Sequence, residues 1–312
     1  MAKKQRKVIV TSAVTGGIHT PSLTPYLPKS PDDIIKDAVD SAKAGASMVH
    51  IHARKDETGI PTADFDTFEY ILSNIKKQSD VVCGITTGGA QGMTVEERLA
   101  VIERFKPEIA SANGGSINFC FSKLADSIDS PLYDWEIPFM ERTYDNVFKN
   151  TFRDMEYCIN MMNKCDTLPE FEVFDYGQLA NIAYFKKKGL LNRQLYIQFV
   201  PGVMGGMPMS LEGQMFMIDQ AKKILGNDIM YCSVAGGRRM FRFETACAIN
   251  GGNVRVGMED GIYIKPNGEL TVGSAMQVEK IIKFLTDLDF EIATPDEARE
   301  MLGLKGKDKV EF

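Results

Sequence analysis

The 312-residue chain carries 42 Asp and Glu against 36 Lys and Arg, a formal net charge of −6, and 44% of it is hydrophobic. That balance argues against a nucleic-acid partner, and no stretch reaches the roughly 20 apolar residues of a membrane span. The six cysteines include no CxxC pair, which fits a reducing cytosol better than a disulfide scaffold.

The basic start, MAKKQRK, leads into an apolar stretch too short and too polar for a signal peptide, so a cytoplasmic location is expected. Residues 7–14 (KVIVTSAV) read as a first strand. Residues 30–46 read as a helix with Ser30 as N-cap, Pro31 at its first position and Gly45 at its end. SMVHIHAR is the second strand, 64–78 a helix and 81–89 the third strand. Residues 94–105 form a helix opened by a Thr-x-x-Glu capping box, and 109–115 a fourth strand. Residues 120–150 are irregular, hold the only Trp, Trp135, and suit a lid or a subunit-contact arm.

The alternation then resumes. Strands at 169–175, 195–202, 229–237 and 253–260 are followed by helices at 177–189, 210–224, 239–250 and 274–287, and a short helix spans 294–302. Strict βα alternation signals a parallel sheet with helices outside it. Eight such units predict one α/β domain over 1–312, a closed (β/α)₈ TIM barrel. It has an insertion after strand four and a short C-terminal helical extension. An open doubly wound sheet is the alternative. No GxGxxG follows the first strand, which weakens it.

His50 and His52 stand at i and i+2 of the second strand, in a chain with only three histidines, so they share one face. Two buried, hydrogen-bonded histidines are the plain reading. Two imidazoles approaching together are also the usual start of a zinc site, which needs a third protein ligand and an open fourth position. His19 is one candidate. Glu259, in RVGMED at the end of strand eight, is a better one, because strand eight neighbours strand one in a closed barrel. A solvated acidic turn reads that segment equally well.

Four strands end in loops rich in Gly and hydroxyl groups: ITTGGAQG, SANGGSINF, FVPGVMGGM and VAGGRRM. Glycines let backbone N–H groups close on an anion. The third loop holds Gly205 and Gly206, and the fourth holds Gly236, Gly237 and Arg238 beside Arg239. These sit at the rim where barrels often bind phosphate. Arg255, if it faces inward, needs a carboxylate partner. Asp260 is one only if the strand end bends, since strict alternation puts the two on opposite faces.

Taken in order and spacing, SAVTGG, VHIHAR, TTGGA, SANGGSINF, PEFEVFD, IQFVPGVMGGM, VAGGRRM, RVGMEDGIY and TPDEARE resemble the β-keto acid cleavage enzymes (3-keto-5-aminohexanoate cleavage enzyme-like) over nearly the whole chain. The resemblance implies a TIM barrel with a divalent metal, usually Zn2+, and a homo-oligomer, a tetramer in the family. It implies condensation of a β-keto acid with acetyl-CoA to give acetoacetate and a new acyl-CoA.

On that resemblance His50, His52 and Glu259 match the metal ligands. Thr86, Gly89, Ser111 and Asn113 match substrate-contacting positions, and Arg255 and Asp260 match the pair that generates the base. Thr86 stands where the family has Ser and keeps the hydroxyl donor. One departure is informative: members acting on the 5-amino substrate carry Glu where this chain has Ile18, next to His19. An apolar side chain cannot pair with an ammonium group, so a neutral tail on the keto acid is expected. The implied mechanism polarises the ketone through the metal, with attack by an acetyl-CoA-derived carbanion and a retro-Claisen cleavage. Two rivals stand beside it, a metal-dependent lyase or aldolase of the HMG-CoA lyase kind and a non-catalytic zinc-containing barrel that binds a small acid.

Overall fold

The computed structural model describes residues 6–89 and 92–312. The basic N-terminal residues through Gln5, and Ala90 and Gln91 of the third-strand loop, lie outside the described residues. Eight strands, all parallel, close into a barrel: β1 (Val10–Ala13), β2 (Met48–Ile51), β3 (Val82–Ile85), β4 (Ile109–Asn113), β5 (Leu168–Val173), β6 (Tyr196–Phe199), β7 (Met230–Ser233) and β8 (Asn253–Val256). Each pairs with its neighbours in sequence, and β8 closes on β1 with Thr11 opposite Arg255.

The helices α1 (Pro31–Lys43), α2 (Phe65–Gln78), α3 (Val95–Phe105), α4 (Phe152–Lys164), α5 (Tyr176–Lys187), α6 (Leu211–Leu225), α7 (Met240–Ile249) and α8 (Ser274–Asp287) lie outside it. Their starts follow from local chemistry. Ser30 and Thr94 each close a capping box, with Asp33 and with Glu97, so two otherwise orphaned N–H groups are met at each helix start. Helix α4 had no counterpart in the sequence reading. It is capped by Thr151 and Asp154 and buries Met155, Cys158, Ile159 and Met162, a helical spacing.

Period-two alternation sorts the strand side chains. Val49, Ile51, Phe171, Val173, Ile197 and Phe199 face the helices in one large apolar cluster. The lower interior holds Ile9, Met48, Val82 and Ile109, and the C-terminal helix α9 (Pro295–Leu302) plugs it from below with Ala298 and Leu302. Fat below and polar above, the interior leaves function to the C-terminal ends of the strands. The insertion, 114–151, crosses that end as short helical turns at Ser122–Ser127 and Glu136–Glu141, packed on Phe121, Phe139 and Trp135. Among the described residues no helix is long and apolar enough to cross a membrane.

Candidate active site

His50 is buried inside the barrel at the end of β2, opposite Ala13 and Gly84, and His52 follows one step higher. Glu259 reaches them from the turn after β8. Its carboxylate lies 3.4 Å from His52 Nε2 and 3.8 Å from His50 Nε2. One ligand atom from each of the three lies within 4.8 Å of the others. Burial pushes the His50 imidazole down to about 3, which keeps it neutral, as a metal ligand must be.

Burial alone would push Glu259 up. Arg255 and the two histidines outweigh it and hold the carboxyl well below the usual range. Glu259 Oε2 is nonetheless buried without a hydrogen-bond partner. An anionic oxygen left without a hydrogen bond beside two imidazoles fits a divalent cation, and a His₂Glu set is of the catalytic type that keeps an open position. His19 is not part of this cluster. Its Nδ1–H donates to the Met258 carbonyl at 2.8 Å, and its ring lines the cavity instead.

Arg255 and Asp260 do meet. β8 ends at Val256, and the chain turns at Gly257, whose φ is +144°. A Cβ there would lie 2.0 Å from the Ala13 carbonyl oxygen, so only glycine fits. The turn swings Asp260 back onto the guanidinium, whose Nε and Nη2 donate to the two carboxylate oxygens, each at 2.9 Å. Nη2 also lies 2.8 Å from Glu259. Two carboxylates thus share one guanidinium and are driven apart: Glu259 is held low, while burial keeps Asp260 above its ordinary value. Glu244 fixes the strand beneath, accepting from the Arg255 and Ala235 N–H groups.

His52, Arg255, Glu259 and Asp260 floor a cavity of about 700 Å³, with Ile18, His19, Thr86, Gly89 and Gly236 in its wall. Thr86 Oγ1 accepts from the Gly88 N–H at 2.9 Å. Ser111 and Asn113 do not line it. Ser111 Oγ accepts from the Thr87 N–H and so braces the β3 loop, and Asn113 is buried nearby with an unpartnered Oδ1. Gly205 and Gly206 pack on the backbones of Asn118 and Phe174, and Arg238 stacks over Tyr263 at 4.9 Å. Along with Gly237, they lie outside the cavity wall.

Three features escaped the sequence reading. Glu172, on the inner face of β5 above Glu170, lines the cavity half-buried, and burial pushes it up to about 8, with Glu170 up to about 7. Arg54 is fully buried. It donates to the carbonyls of Thr15, Gly16, His19 and Gly59 and to Thr15 Oγ1, and so staples the β1 loop that carries Ile18 and His19. Gly16 in that loop backs onto Glu259, where a Cβ would lie 2.3 Å from its Cγ. The third feature is the roof, with Phe119, Phe121, Phe139 and Phe148 of the insertion bordering the cavity.

A family model described as "beta-keto acid cleavage enzyme" matches residues 7–304. The chain is 42% identical, over all of both proteins, to a "3,5-dioxohexanoate:acetyl-CoA acetone transferase" of Paraburkholderia graminis. It is 33% identical to a "3-keto-5-aminohexanoate cleavage enzyme" of Fusobacterium nucleatum, over 96% of this chain and 98% of that one. Among solved structures, ObcA in binary complex with oxaloacetate superposes with a TM-score of 0.69 at 20% identity. That match covers 90% of this chain and 68% of ObcA, a likeness of fold.

Proposed function

The chain belongs to the β-keto acid cleavage enzyme family, and from that premise we propose that it converts a β-keto acid and acetyl-CoA into acetoacetate and a new acyl-CoA. The observation that carries the reading is the meeting of His50, His52 and Glu259 with the Arg255–Asp260 pair, with His52, Glu259, Arg255 and Asp260 on the floor of one cavity and His50 buried just beneath it. We take the keto acid to have a neutral tail, and 3,5-dioxohexanoate is the candidate. Ile18 offers the tail an apolar wall, and the 42% relative is named for that acid whereas the 33% relative is named for the amino acid.

His50, His52 and Glu259 would hold a divalent metal, Zn2+ by the nature of the ligands. A metal bound there supplies Lewis-acid polarisation of the substrate's ketone. Acetoacetate keeps C1 and C2 of the keto acid joined to the acetyl carbonyl carbon. Atom balance therefore makes C2 of the keto acid the nucleophile, not the methyl carbon of acetyl-CoA.

The Asp260 carboxylate, aligned by Arg255, takes the C2 proton. C2 bonds to the acetyl carbonyl carbon, and the C–S bond breaks to release CoA thiolate. The thiolate then bonds to C3 of the keto acid, the C2–C3 bond breaks, and acetoacetate receives the proton back from Asp260. Thr86, whose oxygen already accepts from Gly88, has its O–H free to donate to the substrate. Glu172, held protonated at neutral pH by burial, is a second donor facing the same space.

We place the enzyme in the cytoplasm as a homo-oligomer. Supporting this are six free cysteines and the exposed aromatic contacts Tyr176–Phe216 and Phe152–Tyr184 on the barrel's flank. Incubating 3,5-dioxohexanoate with and without acetyl-CoA tests the reaction. Acetoacetate must form only with both. Cleavage without acetyl-CoA would assign the protein to the lyases, and no cleavage of any β-keto acid would leave a binding protein.

A further inference from the structure

The cavity is larger than a keto acid of hexanoate length requires, since cavities of roughly 300–1,000 Å³ hold drug-sized ligands. Its two ends also differ in character. The floor is polar and charged, with His52, Arg255, Glu259 and Asp260. The outer part is an apolar groove between the insertion and the loop after β6. Phe121, Val147 and Phe148 form one bank, and Val203, Met204 and Met209 the other. The Cys120 N–H, donating to the Met204 carbonyl at 3.4 Å, ties the banks together.

The arch above is built of packed rings. Phe119 stands edge-on to Phe121, Phe148 and Phe174, with centroids 5.7–6.0 Å apart. Two apolar side chains of the groove are nevertheless left uncovered: Val147 is 56% exposed and Met204 44%. Exposed apolar groups gathered on a concave surface mark a ligand contact. Two exposed cations, Lys123 and Lys149, line the same cavity; the Lys149 side chain is 71% exposed and its ammonium lies 3.7 Å from Asp154, a contact loose enough to leave it facing solvent.

We propose that this groove is the seat of the acyl-CoA. The pantetheine arm lies between Phe121 and Val147 on one side and Met204 on the other. The phosphates meet Lys123 and Lys149, and the thioester is delivered to the Arg255–Asp260 floor. This rests on the reading of the protein as an acetyl-CoA-dependent enzyme. It assigns the coenzyme to the insertion and to Val203, Met204 and Met209 of the β6 loop, beside Gly205 and Gly206, and not to Gly237 and Arg238 at the β7 rim, which the sequence also offered.

The test is the binding of acetyl-CoA alone, by calorimetry, to the full-length protein. All four residues are exposed and away from the floor, and a thermal melt of each variant checks that the fold is kept, with Lys149→Gln beside Lys149→Glu because Lys149 faces Asp154 at 3.7 Å. Val147→Asp and Met204→Asp should each weaken binding at least tenfold. Lys123→Glu with Lys149→Glu should do the same, with a loss that shrinks as salt rises. With acetyl-pantetheine, which has no phosphate, the lysine effect should vanish and the Met204 effect persist. The KM for the keto acid should stay unchanged throughout.

Unchanged acetyl-CoA binding in Val147→Asp and Met204→Asp overturns the assignment. So does a rise in keto-acid KM at constant acetyl-CoA affinity, which would give the groove to the acid's tail. A wild type that binds acetyl-CoA in a Met204-dependent way yet forms acetoacetate from no keto acid sinks the proposed reaction and leaves the groove standing. A wild type that does not bind acetyl-CoA sinks both.

Discussion

Replacing Arg54 by Met should show how much of the site depends on a residue that need not touch substrate. Its five hydrogen bonds, at 2.7–3.1 Å, all end on neutral oxygens, four of them backbone carbonyls. Burial pulls the guanidinium down to about 10, still charged at neutral pH. Methionine removes every donor at once and leaves those carbonyls buried. An unsatisfied buried acceptor costs about 1–3 kcal/mol. Taking the low end, since water can re-enter part of the loop, the sum is on the order of 4–6 kcal/mol. Relief of the buried charge offsets only part of it, because the five bonds already meet that charge. Whole domains are stable by about 5–15 kcal/mol, so Tm should fall by on the order of 10 °C. The β1 loop should loosen first. Gly16 backs onto Glu259, so metal content should fall with it. Arg54→Lys, with three donors on one nitrogen, should recover only part of both losses. Thermal melts with metal analysis read the outcome. An Arg54→Met protein that melts within about 2 °C of wild type with full metal would refute the reasoning.

Glu259→Gln should lose the metal, whereas Asp260→Asn should keep it and lose turnover. Equal metal loss in both, by elemental analysis, would mean their roles are misassigned. Ile18→Glu should raise kcat/KM for 3-keto-5-aminohexanoate relative to 3,5-dioxohexanoate by more than tenfold, about 1.4 kcal/mol. A wild type that already prefers the amino compound tenfold would contradict the neutral-tail reading. Glu172 has its pKa raised by burial from 4.5 to about 8, so the stability it contributes is full below about 4.5 and is lost as pH rises towards 8. Glu172→Gln stays neutral throughout, so its Tm advantage over wild type should grow between pH 5 and 8 at fixed metal content. A pH-independent difference would show that the carboxyl is not desolvated.

The barrel was legible because local signals agreed with the global pattern. The capping residues Ser30 and Thr94 stand where the sequence placed them, and period-two strands alternate with helices along the whole chain. The histidine pair was legible for the same reason, since i and i+2 share a face. The Arg255–Asp260 pair, which does form, was legible through the family resemblance and not from spacing, because alternation stops at Gly257 and no spacing rule anticipates a turn with φ of +144°. Glu170 and Glu172 share a face as plainly as the histidines, yet periodicity does not say whether that face is the interior or the helix side. Ser111 was expected at the substrate, and the structure places it behind the cavity wall, where its oxygen accepts from the Thr87 N–H. Helix α4 carried its signal in Thr151, Asp154 and an i, i+3, i+4 apolar row. The aperiodic insertion before it obscured that start. The roof itself has no period, and only three-dimensional packing brings Phe119 and Phe148 together.

The central claim is that C2 of the keto acid bonds to the acetyl carbonyl carbon while CoA passes to the remaining acyl group. Acetyl-CoA labelled with carbon-13 at its carbonyl, incubated with the enzyme and 3,5-dioxohexanoate, follows that bond directly. The account predicts the label at C3 of acetoacetate and none in the new acyl-CoA. Label in the acyl-CoA product, or unlabelled acetoacetate, would contradict it.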